Sequence, residues 1–172
     1  MTVQTMPIPL TITAFDPGGT TGYVTLYWVR DESKFRYKYG QLGPEDHQLD
    51  LWHLLQNHNP MIVVVESFQY RQDQSERHKI ELISRNYIGE ITTWAKLRKR
   101  QIVMQSPMAV MGRGGFFGKD NDGDEKLRRI GRGVPGGHKN RHARDAMRHL
   151  CHYEVFTLGR TELLLPLRGV RA

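Results

Sequence analysis

The 172-residue chain has a single cysteine, Cys151. That excludes an internal disulfide framework and any zinc site built from several thiolates. No apolar run approaches the roughly 18 residues that a membrane-crossing helix needs. No basic helix carries an apolar face suited to a lipid surface. The first residues, Met1 to Pro7, lack a charged stretch leading into an apolar core, so they do not read as a secretory signal. These absences point to a cytoplasmic chain with no membrane partner, and Cys151, beside Leu150, reads as a core residue. Internal repeats and a second hydrophobic unit are also absent. The expectation is one domain over 1–172, with a core at about 9–153 and a C-terminal extension at 154–172. Acidic residues are scarce too, 18 against 25 Lys and Arg, which gives a net charge of +7 and a pI near 9.7. A surface so basic collects polyanions, and nucleic acid is the leading partner class.

What is present alternates between strand and helix patterns. Strands are expected at roughly 9–15, 22–30 and 34–41, with Gly18, Gly19 and Gly22 punctuating the first turn. A helix containing Leu51, Leu54 and Leu55 ends at Asn57–Pro60. Met61–Val65 is short and β-branched, as a strand buried on both faces must be. Residues 75–99 read as one long helix, with Ile80, Ile83, Tyr87, Ile91, Trp94 and Leu97 forming its core stripe. Gly89 inside it predicts close packing or a bend. Gln101–Met104 is a further strand, and Ser106-Pro107 starts a helix. Residues 112–123 read as a mobile Gly-rich loop, 124–130 as a short helix, 131–140 as a second Gly-rich stretch and 141–153 as the last helix. Asp120-Asn-Asp-Gly-Asp124 resembles part of a calcium loop but lacks the glutamate at its twelfth position, so it reads as a solvated turn. Leu163–Leu167 is an extra strand or a docking segment. Three strands followed by alternating helix and strand make an α/β fold with a mixed sheet.

Ligands gather at the carboxyl ends of strands in such sheets. Asp16 and Glu66 stand at the ends of the first and fourth strands, and Asp145 lies in the last helix, three residues after His142 and on the same helix face. Carboxylates from separate elements are what a pair of divalent ions needs in order to act on a phosphodiester. Each residue taken alone has a plainer reading. Asp16 would be a turn residue and Glu66 a partner of Arg71. His142 would be solvated, and Asp145 would pair with Arg141, Arg144, Arg148 or His149. Their order along the chain favours the site.

Ile12-Thr-Ala-Phe-Asp16-Pro-Gly-Gly-Thr-Thr-Gly22-Tyr, Ile62-Val-Val-Val-Glu66, the long helix with Gly89 and His142-Ala-Arg-Asp145-Ala146 together span most of residues 10–152. On these segments the chain resembles the RuvC-type Holliday junction resolvases of the RNase H-like superfamily, in the shorter, divergent form seen in bacteriophages. The resemblance implies an RNase H-like fold with a five-stranded mixed sheet flanked by helices. It implies a homodimer that makes paired symmetric nicks in four-way junctions and leaves 5′-phosphate and 3′-hydroxyl ends. Asp16, Glu66 and Asp145 would hold two Mg²⁺ or Mn²⁺ ions per site, with His142 as a ligand or as the group that activates water. A phage-encoded chain would work in the host cytoplasm.

The basic residues concentrate between Lys96 and Arg148, where fourteen Lys and Arg face five Asp and Glu. Arg113, Lys119, Lys139 and Arg141, in or beside Gly-rich stretches, are candidate phosphate contacts. Phe68 and Tyr70 follow Glu66, with Arg71 beside them. Either ring could stack on a base unpaired at a branch point, and Phe68 is the preferred one. Substrates would be four-way junctions, forks and other branched DNA. Two rivals remain: a nuclease of the same fold acting on RNA–DNA hybrids or on precursor RNA, and a branched-DNA binding protein without activity.

Overall fold

A computed structural model describes residues 10–29, 34–43, 47–67, 78–112, 115–118 and 120–167, without the side chains of 78–81 and 120. Five strands form one mixed sheet: β1 (Ile12–Asp16), β2 (Thr21–Val29), β3 (Lys34–Leu42), β4 (Ile62–Glu66) and β5 (Gln101–Gln105), in the order β3-β2-β1-β4-β5. The β1–β2 and β2–β3 pairs are antiparallel. β4 runs parallel to both β1 and β5. The all-apolar run Ile62-Val-Val-Val65 forms the central parallel strand β4, where both faces are covered and no polar alternation is possible.

Alternation along the strands divides the core. Ile12, Ala14, Ile62 and Val64 face helix α5 (Arg141–Phe156), which contributes Ala143, Ala146, Met147, Leu150 and Cys151 to a buried cluster. Phe15, Val63 and Val65 face the opposite side. There they meet Leu51, Leu54 and Leu55 of α1 (His47–His58) and Tyr87, Ile91 and Trp94 of α2 (His78–Leu97). Each fully buried branched or aromatic side chain contributes roughly 1.5–3 kcal/mol by leaving water. The expected α/β architecture with helices on both faces is therefore present. No helix among the described residues is long and apolar enough to cross a membrane.

Several local expectations are corrected. β2 begins at Thr21, one residue before the expected start, so Gly22 lies inside the strand as the range 22–30 has it. Leu97 closes α2 and is 72% exposed, so the core stripe ends at Trp94. A Cβ placed at Gly89 would meet nothing within 4 Å, and α2 runs unbroken through it. Ser106 caps α3 (Pro107–Met111) as expected, accepting from the Met108 amide at 3.2 Å. Helix α4 spans Asp120–Arg129, so the acidic segment expected as a turn is its first turn. At Gly123 of α4 a Cβ would lie 2.5 Å from the Phe117 carbonyl oxygen, so only glycine fits there despite its low helix propensity. α5 extends to Phe156, and Thr161–Leu167 forms a 3-10 helix instead of a strand.

Candidate active site

The carboxyl ends of the three parallel strands form a polar row. Phe15 is in register with Val65 and Glu66 with Gln105, so Asp16, Glu66 and Gln105 follow one another across β1, β4 and β5. All three fall on the face that α5 covers, because they continue the alternation of Ala14, Val64 and Val103. Opposite them α5 carries His142, Asp145, His149 and His152, spaced three, four and three residues apart along one face.

The two rows interlock. His142 Nδ1 lies 2.8 Å from Asp16 Oδ2. His149 Nε2 lies 2.8 Å from Glu66 Oε2, and its Nδ1 lies 2.8 Å from Gln105 Oε1. Gln105 Nε2 is 3.5 Å from His152 Nδ1. Asp16, His142 and Asp145 each offer a ligand atom within 4.8 Å of the others. Glu66 stands beside this trio and is bound to His149; Arg71, its alternative partner, lies outside the described residues. Asp145 also pairs with Arg148, one of the partners its plainer reading named. Arg148 in turn pairs with Asp124 of α4, and Arg144 Nε lies 3.1 Å from Asp124 Oδ2.

Burial raises the pKa of Asp16, the neighbouring Glu66 charge raises it further, and the hydrogen bond from His142 opposes both. The pKa of His142 is raised chiefly by its bond to Asp16. A buried carboxylate beside a second carboxylate is most stable as an anion when a cation lies against it. The donor set, two carboxylates and an imidazole, fits a divalent ion. Its oxygens suit Mg²⁺ or Mn²⁺, and the imidazole nitrogen favours the transition metal.

The chain is shaped to bring α5 this close. Asp16 is paired with Gly22 across β1 and β2. A Cβ at Gly22 would lie 2.0 Å from the carbonyl carbon and oxygen of His142. The turn between the two strands is tied by Thr21, whose Oγ1 lies 3.3 Å from both the amide and the carbonyl of Gly18. Asn140 makes no capping bond at the start of α5. Gln41 of β3 does so from a distance, its Oε1 accepting from the His142 amide at 2.9 Å and its Nε2 donating to the Lys139 carbonyl.

Of the candidate DNA contacts, Lys139 and Arg141 lie exposed at the entrance to α5. Arg141 lines a polar cleft of about 150 Å³ with Asn121, His138, Arg144 and Arg148, and Asp145 forms part of its wall. Phe68, Tyr70, Arg71, Arg113 and Lys119 lie outside the described residues. Part of the basic surplus is structural: Arg132 is buried against Glu154, and Arg128 pairs with Glu125. Gln105 and Gln41 were not singled out from the sequence, and His149 was named only as a partner for Asp145. The polar stripe on α5 was a readable signal for His149, because it continues His142 and Asp145 at helical spacing. Gln41 and Gln105 left none, since their roles depend on strand register.

No protein-family model and no curated protein matches the chain. Solved structures do. Thermus thermophilus RuvC in complex with a Holliday junction substrate is 18% identical, with a TM-score of 0.61 over 87% of this chain and 96% of that one. A second structure of Thermus thermophilus RuvC aligns with a TM-score of 0.56, also at 18% identity, over 87% of this chain and 96% of its own. The fowlpox virus Holliday junction resolvase is 12% identical, with a TM-score of 0.53 over 83% of this chain and 97% of its own. The strand order, the helices on both faces and these alignments together give the chain the fold of the RuvC-type Holliday junction resolvases.

Proposed function

We propose that the chain is a divalent-metal-dependent, structure-selective DNA endonuclease that cuts Holliday junctions and other branched DNA. The observation that carries this reading is the convergence of Asp16, His142 and Asp145 at the carboxyl end of β1, with Glu66 on the adjacent strand. The shared fold and the basic charge of the chain support it.

Asp16, His142, Asp145 and Glu66 would hold Mg²⁺ or Mn²⁺, two ions per site. Ions bound there would supply Lewis-acid stabilisation of the charge that develops as water attacks a phosphodiester. The side chains themselves carry the positioning. Asp16 is fixed by its strand, and α5 brings His142 and Asp145 to it. Lys139 and Arg141 would contact phosphates flanking the cut, and Phe68 or Tyr70 would stack at the branch point. Two copies of the chain acting as a homodimer would place two such sites for paired nicks, leaving 5′-phosphate and 3′-hydroxyl ends. The lone buried thiol Cys151 suits a cytoplasmic nuclease, of the divergent kind that bacteriophages encode.

The test is to incubate the protein and Mg²⁺ or Mn²⁺ with a four-way junction, a fork, a linear duplex and an RNA–DNA hybrid. Paired symmetric nicks in the junction, lost in Asp16→Asn, are the expected result. Cutting of the hybrid alone would replace this reading with that of a hybrid nuclease. Binding without cutting would leave a branched-DNA binding protein. Gel-filtration mass tests the homodimer.

A further inference from the structure

Glu66 is a glutamate with three rotatable side-chain bonds at the edge of the candidate site, yet it is held. His149 is fully buried and bridges two strands: Nε2 meets Glu66 Oε2 and Nδ1 meets Gln105 Oε1, each at 2.8 Å. A carboxylate only accepts, so Nε2 donates to Glu66; Nδ1 then accepts, and its partner is the Gln105 amide turned over so that its N–H₂ group faces the ring. Gln105 sits in register with Glu66 on β5, so anchor and target move with the same sheet. A histidine needed only to fill space would be replaceable by leucine, and burying two polar nitrogens is costly unless both find partners. Here both do, and one partner belongs to the site.

We infer that His149 is the positioning residue for Glu66. Seated on Gln105, it takes up Oε2 and leaves Oε1 as the oxygen offered to a divalent ion beside Asp16. The inference rests on the nuclease reading and extends it to a residue outside the ligand set. Groups that orient metal ligands from behind change metal affinity or activity about 10–100-fold when removed.

The experiment measures Mn²⁺ binding by calorimetry or electron paramagnetic resonance on the full chain. The parent is compared with His149→Leu, His149→Gln and His149→Asn. Metal-free junction affinity and the melting temperature are recorded alongside. Glutamine places a nitrogen near Nε2, whereas asparagine reaches only the Nδ1 position. His149→Leu is expected to weaken the binding of one Mn²⁺ ion about 10–100-fold. Raising the Mn²⁺ concentration should restore its cleavage rate, and junction affinity should stay unchanged. His149→Gln should bind within a few-fold of the parent. Should the leucine variant fail to fold, the glutamine and asparagine variants decide: glutamine like the parent with asparagine impaired upholds the role, and equal behaviour of the two overturns it. If the parent binds Mn²⁺ and cuts junctions while His149→Leu binds Mn²⁺ as tightly, this inference alone falls. If the parent neither binds Mn²⁺ nor cuts, the nuclease reading falls and the inference falls with it.

Discussion

Gly22 lies against the backbone of His142 so closely that a Cβ on the glycine would occupy the space of the histidine carbonyl. The contact joins the strand paired with Asp16 to the first turn of the helix that carries His142 and Asp145. Gly22→Ala therefore has to push α5 away from β2. Overpacking of this kind costs about 1–3 kcal/mol, and the displacement falls on the Asp16–His142 contact. The expected outcome is a lower melting temperature together with a loss of Mn²⁺ affinity of at least about tenfold, as for removal of a ligand-orienting group. Unchanged Mn²⁺ binding in calorimetry would show that the helix start does not set the site.

The Asp16 bond raises the pKa of His142 above its ordinary 6.5, so on the proposed reading metal and proton would compete for this residue. Apparent Mn²⁺ affinity should rise with pH through the raised pKa and level off beyond it. His142→Asn should flatten that part of the profile. The metal-free protein behaves in the opposite sense. A raised folded-state pKa gives stability that is complete below about 6.5 and is lost as pH rises through the folded value. A metal-free thermal melt series in EDTA at several pH values, for parent and His142→Asn, checks the sign.

His142→Asp would convert the trio to an all-carboxylate set. Hard oxygen ligands suit Mg²⁺, and imidazole favours the transition ion. The ratio of Mg²⁺- to Mn²⁺-supported cleavage is expected to rise severalfold in this variant. A ratio equal to the parent's would remove His142 from the ligand set.

Gln41 supplies the helix cap that Asn140 does not. Gln41→Ala should cost about 1 kcal/mol, as loss of a cap does. Hydrogen exchange should accelerate at the first-turn amides of α5 and leave β4 unchanged. Uniform acceleration across the sheet would mean that the glutamine supports the whole fold and not the helix start.

Lys139 and Arg141 sit exposed beside the site. If each meets a phosphate, replacing both with alanine should lower the slope of log affinity against log salt by roughly one per contact. The cleavage rate of the fully bound junction should change little. An unaltered salt slope would move the DNA path elsewhere.

The parts of the fold that could be read from the sequence were those carried by local pattern. Ile62–Val65 showed a doubly covered strand because every side chain is apolar, and the Asp-Pro-Gly segment showed where β1 stops. Ser106-Pro107 marked a helix start through its own capping chemistry. What escaped depended on neighbours distant in sequence. Gly89 sits in open space and Gly123 in tight contact, and nothing in their local sequences distinguishes a helical glycine of one kind from the other. Helix α4 starts at Asp120 although its first turn carries Asn121, Asp122 and Gly123, which are poor helix formers. Gln105 became visible only once parallel register set it beside Glu66. Asp16, His142 and Asp145 were legible as candidates, and their convergence is now a matter of distances. His149 was weighed only as an ion-pair partner for Asp145, and the structure gives it to Glu66 instead.

The contact between Asp16 and His142 spans 126 positions of the chain. During synthesis the strand bearing Asp16 leaves the ribosome long before the helix that brings His142 and Asp145 to it. Closure of so long a loop comes late in folding, because its entropy is lost before the contacts that offset it form. A nascent or truncated chain ending before residue 141 therefore cannot assemble the trio. If the chain is the nuclease proposed above, the order of residues along the polypeptide would then act as a timer that keeps the site incomplete until the last helix has docked.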